Sequence, residues 1–146
     1  MMSGAGWLRD RGEREEMTAG QAIELADAMR TDNSFDPMLK QLWLKQVDAQ
    51  LRRSILDRAD CGNDFVGKGA DTAFADLEGL QEDTELLAPA AFEGLYPHWL
   101  CAQMDLALGE TARAANEYQQ YSDMVQEFGA WMRRNYPPKT AARFLY

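Results

Sequence analysis

A chain of 146 residues, 46% of them hydrophobic, has the length of one domain and enough apolar material for a core, which excludes wholesale disorder. No stretch approaches the roughly 18 uninterrupted apolar residues of a membrane span, and the N-terminus turns charged after Trp7 without the apolar run of a secretory signal, so a cytoplasmic setting is expected. The net charge of −9 is concentrated: residues 61–110 carry Lys68 alone against ten acids, while residues 133–146 carry four basic residues and no acid, a pattern unlike the basic stripe of a general nucleic-acid binder.

Residues 1–16 read as a charged N-terminal extension with little to bury beyond Trp7 and Leu8. Residues 17–136 read as a helical domain. Thr18 and Gln21 fit the N-cap and N3 positions of a capping box, which opens a helix to about Met29 or Arg30 with Ala22, Ile23, Ala26 and Met29 along one side. Residues 31–34 form a turn cluster. Asp36 then caps a second helix, with Pro37 at the first position, where a missing N–H costs nothing. Leu39, Trp43, Val47, Leu51 and Ile55 recur at i+4 along it, a stripe that predicts burial against other helices, and Gly62 is the expected stop.

Glycines and acids dominate residues 61–88, which predicts a long acidic loop, and a loop of that length in a compact domain usually has a task. Pro89 opens the third helix. Its regular part begins near Glu93 or Gly94, or kinks at Tyr96, because Pro97 is tolerated only in the first turn. Gly109 ends it, and the tight passage through Glu110 and Thr111 makes an antiparallel hairpin with the fourth helix. There Ala114, Tyr118, Tyr121, Val125, Phe128 and Met132 alternate in steps of four and three, a heptad-like seam. Pro137 and Pro138 stop the helix and leave residues 137–146 as a basic, aromatic tail. The fold class expected is all-α: a small four-helix bundle with a long acidic loop between helices two and three and an extended C-terminal tail.

Three patterns invite a chemical reading, and each reads better as structure. Residues 62–69 nearly spell a phosphate-binding loop, but Gly69 stands where the magnesium-holding Ser or Thr belongs. Asp64 also puts a negative charge in the cradle, and a helix precedes the segment where a strand is needed. His98 and Cys101 share a helix face, yet that face also carries Leu95 and Leu106, which suits a core or interface position. Asp76, Glu78, Glu82, Asp83 and Glu85 lack the alternating spacing, central glycine and terminal glutamate of a calcium loop. Cys61 and Cys101 are expected to be free thiols. No catalytic residue, cofactor or metal ligand is expected, and the chain is not expected to be an enzyme.

The aromatic seam is chiefly core. Trp131 falls off it and marks an interface, together with Arg133, Arg134, Tyr136, Lys139, Arg143, Phe144 and Tyr146. The acids Asp76, Glu78, Glu82, Asp83 and Glu85 form the second candidate surface, lining a channel or meeting a basic partner.

Six strings carry a resemblance: Trp43-Leu44-Lys45-Gln46-Val47-Asp48, Glu82-Asp83-Thr84-Glu85-Leu86-Leu87-Ala88-Pro89, Leu95-Tyr96, Asp105-Leu106-Ala107-Leu108-Gly109-Glu110, Asn116-Glu117 and Tyr136-Pro137. In this order, over residues 17–138, the chain resembles the head–tail connector (adaptor) proteins of tailed bacteriophages and prophages. It departs from them in the leader before Met17 and in Pro97, where an ordinary helix former is expected. The resemblance implies a virion structural protein assembled in the bacterial host cytoplasm, with no membrane partner. Such proteins form a homo-oligomeric ring, commonly a dodecamer, beneath the portal protein and beside other neck or tail proteins. The ring extends the channel through which DNA passes without specific binding. In that frame the acidic loop faces the channel and the tail docks on the portal or the next ring. A small cytoplasmic helical adaptor or regulator, acting by protein–protein binding, is the alternative expectation.

Overall fold

The computed structural model describes residues 16–69 and 80–139. They form an all-α structure of four helices, α1 (Ala19–Met29), α2 (Pro37–Ser54), α3 (Leu95–Ala107) and α4 (Thr111–Asn135), with single 3-10 turns at Leu56–Arg58 and Ala90–Phe92. No described helix is long and apolar enough to cross a membrane.

Local chemistry sets each boundary. At α1 the Thr18 side chain accepts from the Gln21 N–H while Gln21 Oε1 accepts from the Thr18 N–H, the reciprocal box the sequence predicts. The next two orphan donors are met from the distant loop, since Ala19 N–H reaches Thr84 O and Gly20 N–H reaches Glu82 O, both at 2.9 Å. At α2 Asp36 accepts from the Met38 N–H at 2.8 Å, and Pro37 stands in the first turn. Gly94 caps α3, so Pro97 falls in its first turn, where an N–H has no intrahelical partner, and no kink is needed. Gly109 turns the chain at φ +79 into α4.

The hairpin of α3 and α4 is the largest packing unit, zipped by aromatic rings. Phe92 stacks on Phe128 at 5.6 Å, and Trp99 meets Tyr121 at 5.1 Å. Trp99 also donates its indole N–H to Trp43 O at 2.9 Å, which ties the hairpin to α2. Helix α1 lies chiefly against α3 and also touches α2. The core gathers Ala22, Ile23 and Ala26 from α1, Leu44, Val47 and Leu51 from α2, and Leu95, Leu100, Met104, Tyr121, Phe128 and Met132 from the hairpin. Leu86, Leu87 and Ala88, just before α3, are fully buried among them.

Two expectations shift. Helix α2 ends at Ser54, well before Gly62, because the chain tightens into the 3-10 turn at Leu56 and leaves toward Ala59. The buried face of α2 is Leu44, Val47, Asp48 and Leu51, while Leu39, Trp43 and Ile55 are half-buried. An i+4 row winds slowly around a helix of 3.6 residues per turn, so its ends leave the contact that its centre makes. In α4 the seam holds at Ala114, Tyr121, Phe128 and Met132, whereas Tyr118 stays 52% exposed and rests on Tyr121 at 5.4 Å.

Residues 61–69 form a chain of turns. Residues 80–88 run without regular structure and make one antiparallel bridge, between Glu85 and Thr18. A second bridge joins Ala59 to Pro138: Asp60 N–H donates to Pro137 O at 2.7 Å and Lys139 N–H to Arg58 O at 3.0 Å. The strand-like segment after α4 is thereby fastened beside the end of α2.

Candidate functional site

The candidate surface at the C-terminal end is built on the last turns of α4. Trp131 is half-buried and surrounded by rings of its own chain, with Phe92 at 5.9 Å, Phe128 at 6.3 Å and Tyr136 at 6.0 Å. It anchors the end of the hairpin and offers a neighbour only its remaining face. Tyr136 donates its hydroxyl to Asp64 Oδ2 at 2.7 Å and lies 6.0 Å from Phe65, so it links α4 to the turns after α2. Burial and that carboxylate push its phenol up to about 12. Arg133 and Arg134 project from the last turn into solvent, where their charge also opposes the negative end of the helix dipole. Lys139 is exposed and held by its backbone. Arg143, Phe144 and Tyr146 lie outside the described residues.

The acidic candidate divides in the same way. Glu82 and Asp83 stand exposed on a turn closed by the Thr84 N–H to Gln81 O, at 3.1 Å. The turn is tied to the start of α1, whose first N–H groups donate to the Thr84 and Glu82 carbonyls. Glu85 is half-buried, pairs by its backbone with Thr18, and accepts the Gly69 N–H at 2.7 Å. Asp76 and Glu78 lie outside the described residues.

Residues 62–69 turn back onto the fold. Phe65 is buried, Lys68 pairs with Glu16, and the Lys68 carbonyl accepts from Arg52 at 2.8 Å. Gly69 comes so close to α2 that a Cβ there would stand 2.6 Å from Asp48 Oδ2 and 2.7 Å from Leu87 Cγ.

Asp48 itself is wholly buried. It accepts the Tyr96 hydroxyl at 2.7 Å on Oδ1 and the Leu87 N–H at 3.1 Å on Oδ2, and Ala88 N–H donates to Tyr96 Oη at 2.8 Å. One carboxylate and one phenol thus satisfy two backbone donors of the segment leading into α3. Desolvation pushes Asp48 up to about 7 despite these donors, and burial beside Asp48 raises Tyr96 as well.

A second polar joint closes the opposite end of the hairpin. Arg30, just past α1, forks onto Asp105 at 3.1 and 2.9 Å and reaches Glu117 Oε2 at 2.6 Å. These bonds, led by the one to Asp105, raise its pKa against the opposing effect of burial. His98 donates from Nδ1 to Glu117 Oε1 at 2.6 Å. Cys101 is buried nearby, and desolvation pushes its thiol up to about 11, away from the thiolate a nucleophile requires. His98 and Cys101 therefore lie close in sequence but face different demands. Among the described residues no group of three or more His, Cys, Asp or Glu side chains converges as a metal site.

Reasoning from sequence missed Asp48, Tyr96, Arg30, Asp105 and Glu117. A signal was present for one of them: Asp48 lies four residues after Leu44 and three before Leu51, so it falls on the apolar face and requires a partner there. The arginine fork joins residues 75 and 87 positions apart and left no local trace. No protein-family model, curated protein or solved structure matches the chain.

Proposed function

We propose that the chain is a structural head–tail connector of a tailed phage, a four-helix bundle that forms a ring under the portal and extends the DNA channel. What carries this reading is where the family-like strings fall. Each supplies a joint of the fold: Asp48 with Trp43 O, Leu86 to Ala88 with the caps on α1, Tyr96, Asp105, Glu117, and Tyr136 with Pro137 O. A shared architecture would place motifs on such joints, and the exposed Leu106, Leu108 and Asn116 of the same strings are left to meet a neighbouring copy.

A ring needs unlike surfaces that meet side to side. Leu25, Met29, Leu106 and Leu108 remain exposed and give a neighbouring copy apolar area to cover. Glu82 and Asp83, fixed on their turn, face the bore in this reading and repel the phosphate backbone so that the duplex slides. Arg133 and Arg134 then present a basic end to the portal or the next ring.

The test mixes purified chain with the portal protein encoded in the same gene cluster and weighs the products by mass photometry. A ring that appears on the portal supports the reading. A chain that neither binds nor multimerises overturns it and leaves the small host regulator. Cryo-EM of the assembled particle then tests the channel: residues 61–88 facing outward would remove the proposed role of the acids.

A further inference from the structure

Single apolar side chains left in water are ordinary, but a group of them marks a contact surface. Four of the seven large apolar side chains that the described residues leave exposed stand at one end of the bundle. They are Leu25 and Met29 on α1 and Leu106 and Leu108 at the end of α3. Arg30, through Asp105 and Glu117, holds these helix ends together. Met29 and Leu108 both line a pocket of about 240 Å³, with the buried Met104 among its walls. That is smaller than the roughly 300–1,000 Å³ of a small-molecule site and suits a protruding side chain.

The rim of this surface is acidic. Asp32 lines the pocket, and Glu110 follows the turn at Gly109. Both are exposed, and neither carboxylate meets a cation among the described residues. The two arginines beside them are already paired, Arg30 with Asp105 and Glu117, and Arg113 with Asp105 at 3.7 Å. Charge therefore decides what can cover the leucines. Two copies of this surface set face to face about a twofold axis would bring acidic rim against acidic rim, a like-charge contact. The complementary face must be both apolar and basic.

The chain carries such a face at the end of α4. Trp131 is half-buried, and Arg134, three residues on, stands on the same side of the helix. The Arg134 guanidinium pairs with no carboxylate among the described residues. Arg133 turns toward α2 instead: its Nη1 and Ile55 Cδ1 lie nearest the point a Gly129 Cβ would occupy, at 3.5 and 4.0 Å. Tryptophan and arginine are the side chains that most often anchor an interface.

We propose that the end of α4 of one copy docks on the α1–α3 surface of the next. Arg134 meets Asp32, while its alkyl stem and Trp131 cover Met29 and Leu108. The contact joins unlike faces, so it passes from copy to copy and either closes into a ring or runs on as a filament. It rests on the ring reading and names its side-to-side interface, leaving Arg133 to the portal.

The test is sedimentation velocity on the full chain, without portal, up to about 1 mM, a range that detects millimolar affinity. Wild type should form dimers and larger species. Leu108→Glu spoils the acidic surface and Arg134→Glu spoils the α4 end, and each should weaken association about tenfold or more. An equimolar mixture of the two should recover one contact, between the intact α4 end of the first and the intact surface of the second, and stop at dimers. Asp32→Arg combined with Arg134→Glu in one chain should restore association. The substituted side chains are all exposed, and circular dichroism should show each variant folded. A wild type that stops at dimers, a mixture that stays monomeric, or an Arg134→Glu chain that associates like wild type overturns the contact. A wild type that is monomeric alone yet forms a ring on the portal overturns it too, and leaves the ring reading standing. A chain that passes the mixture test but binds no portal supports the contact and removes the portal.

Discussion

Tyr96 donates its hydroxyl to the carboxylate of Asp48 at 2.7 Å, and neither side chain reaches water. The pair joins α2, α3 and the segment between them through groups that have no alternative partner in solvent. Tyr96→Phe keeps the ring and removes only the oxygen. It strands one oxygen of Asp48 and the Ala88 N–H, which was donating at 2.8 Å. A buried unmet polar group costs about 1–3 kcal/mol, so the variant should lose about 2–4 kcal/mol in urea unfolding. A loss under about 0.5 kcal/mol, the range of ordinary surface substitutions, would mean that the joint carries no stability.

The same carboxyl makes stability depend on pH. Its ordinary value is 3.8, and burial pushes it up to about 7 in the folded chain. Between those values the native state holds a proton that the unfolded state has released. Stability from this group therefore falls as pH rises from about 4 to about 7 and is level above, with a slope approaching ~1.4 kcal/mol per pH unit. Other acids titrate in the same window, so the readout is a difference. Wild type minus Asp48→Asn, from urea midpoints at several pH values, should decline across that window. A flat difference would show that Asp48 remains ionised throughout.

Gly69 lies against this joint for two separable reasons. Its φ of +59 is left-handed, and a Cβ would strike Asp48 Oδ2 at 2.6 Å. Gly62 shares the conformation, at φ +57, but has nothing described within 4 Å. Gly62→Ala should thus cost only the left-handed strain, about 1–2 kcal/mol. Gly69→Ala adds a clash with a carboxylate that cannot withdraw, so the total should exceed about 3 kcal/mol in thermal unfolding. Equal losses at the two sites would show that α2 yields to the methyl group.

How far the sequence was legible follows the range of the interactions. The capping box of Thr18 and Gln21, the Asp36-Pro37 start, Pro97 in a first turn and the seam at Ala114, Tyr121, Phe128 and Met132 are all local, and each reads directly from spacing. The fold's fastenings are not local. Thr84 and Glu82 cap α1 from more than sixty residues away, and of the glycines at 62–69 Gly69 alone is pressed against Asp48. Trp131 illustrates the same limit at the candidate surface. Its departure from the seam is visible in the sequence, but only the fold brings Phe92 and Tyr136 around it.

Arg30 tests whether the far joint holds by charge or by shape. Asp105 is 1% exposed, and besides the Arg30 fork it pairs with Arg113 at 3.7 Å, whose side chain is 54% exposed. Arg30→Met keeps much of the stem but leaves that carboxylate buried with a weak partner. Breaking a buried pair from one side costs about 3–5 kcal/mol, and the remaining Arg113 should hold the loss near ~3 kcal/mol. Arg30→Lys should recover only part of it, because an ammonium cannot make the two parallel bonds at 3.1 and 2.9 Å. Arg30→Met with Asp105→Leu removes both charges and should be more stable than Arg30→Met alone. A double mutant that merely adds the two single losses would mean that Asp105 is held by its surroundings rather than by Arg30. Chemical denaturation of the four variants and the wild type, at one pH, separates these outcomes.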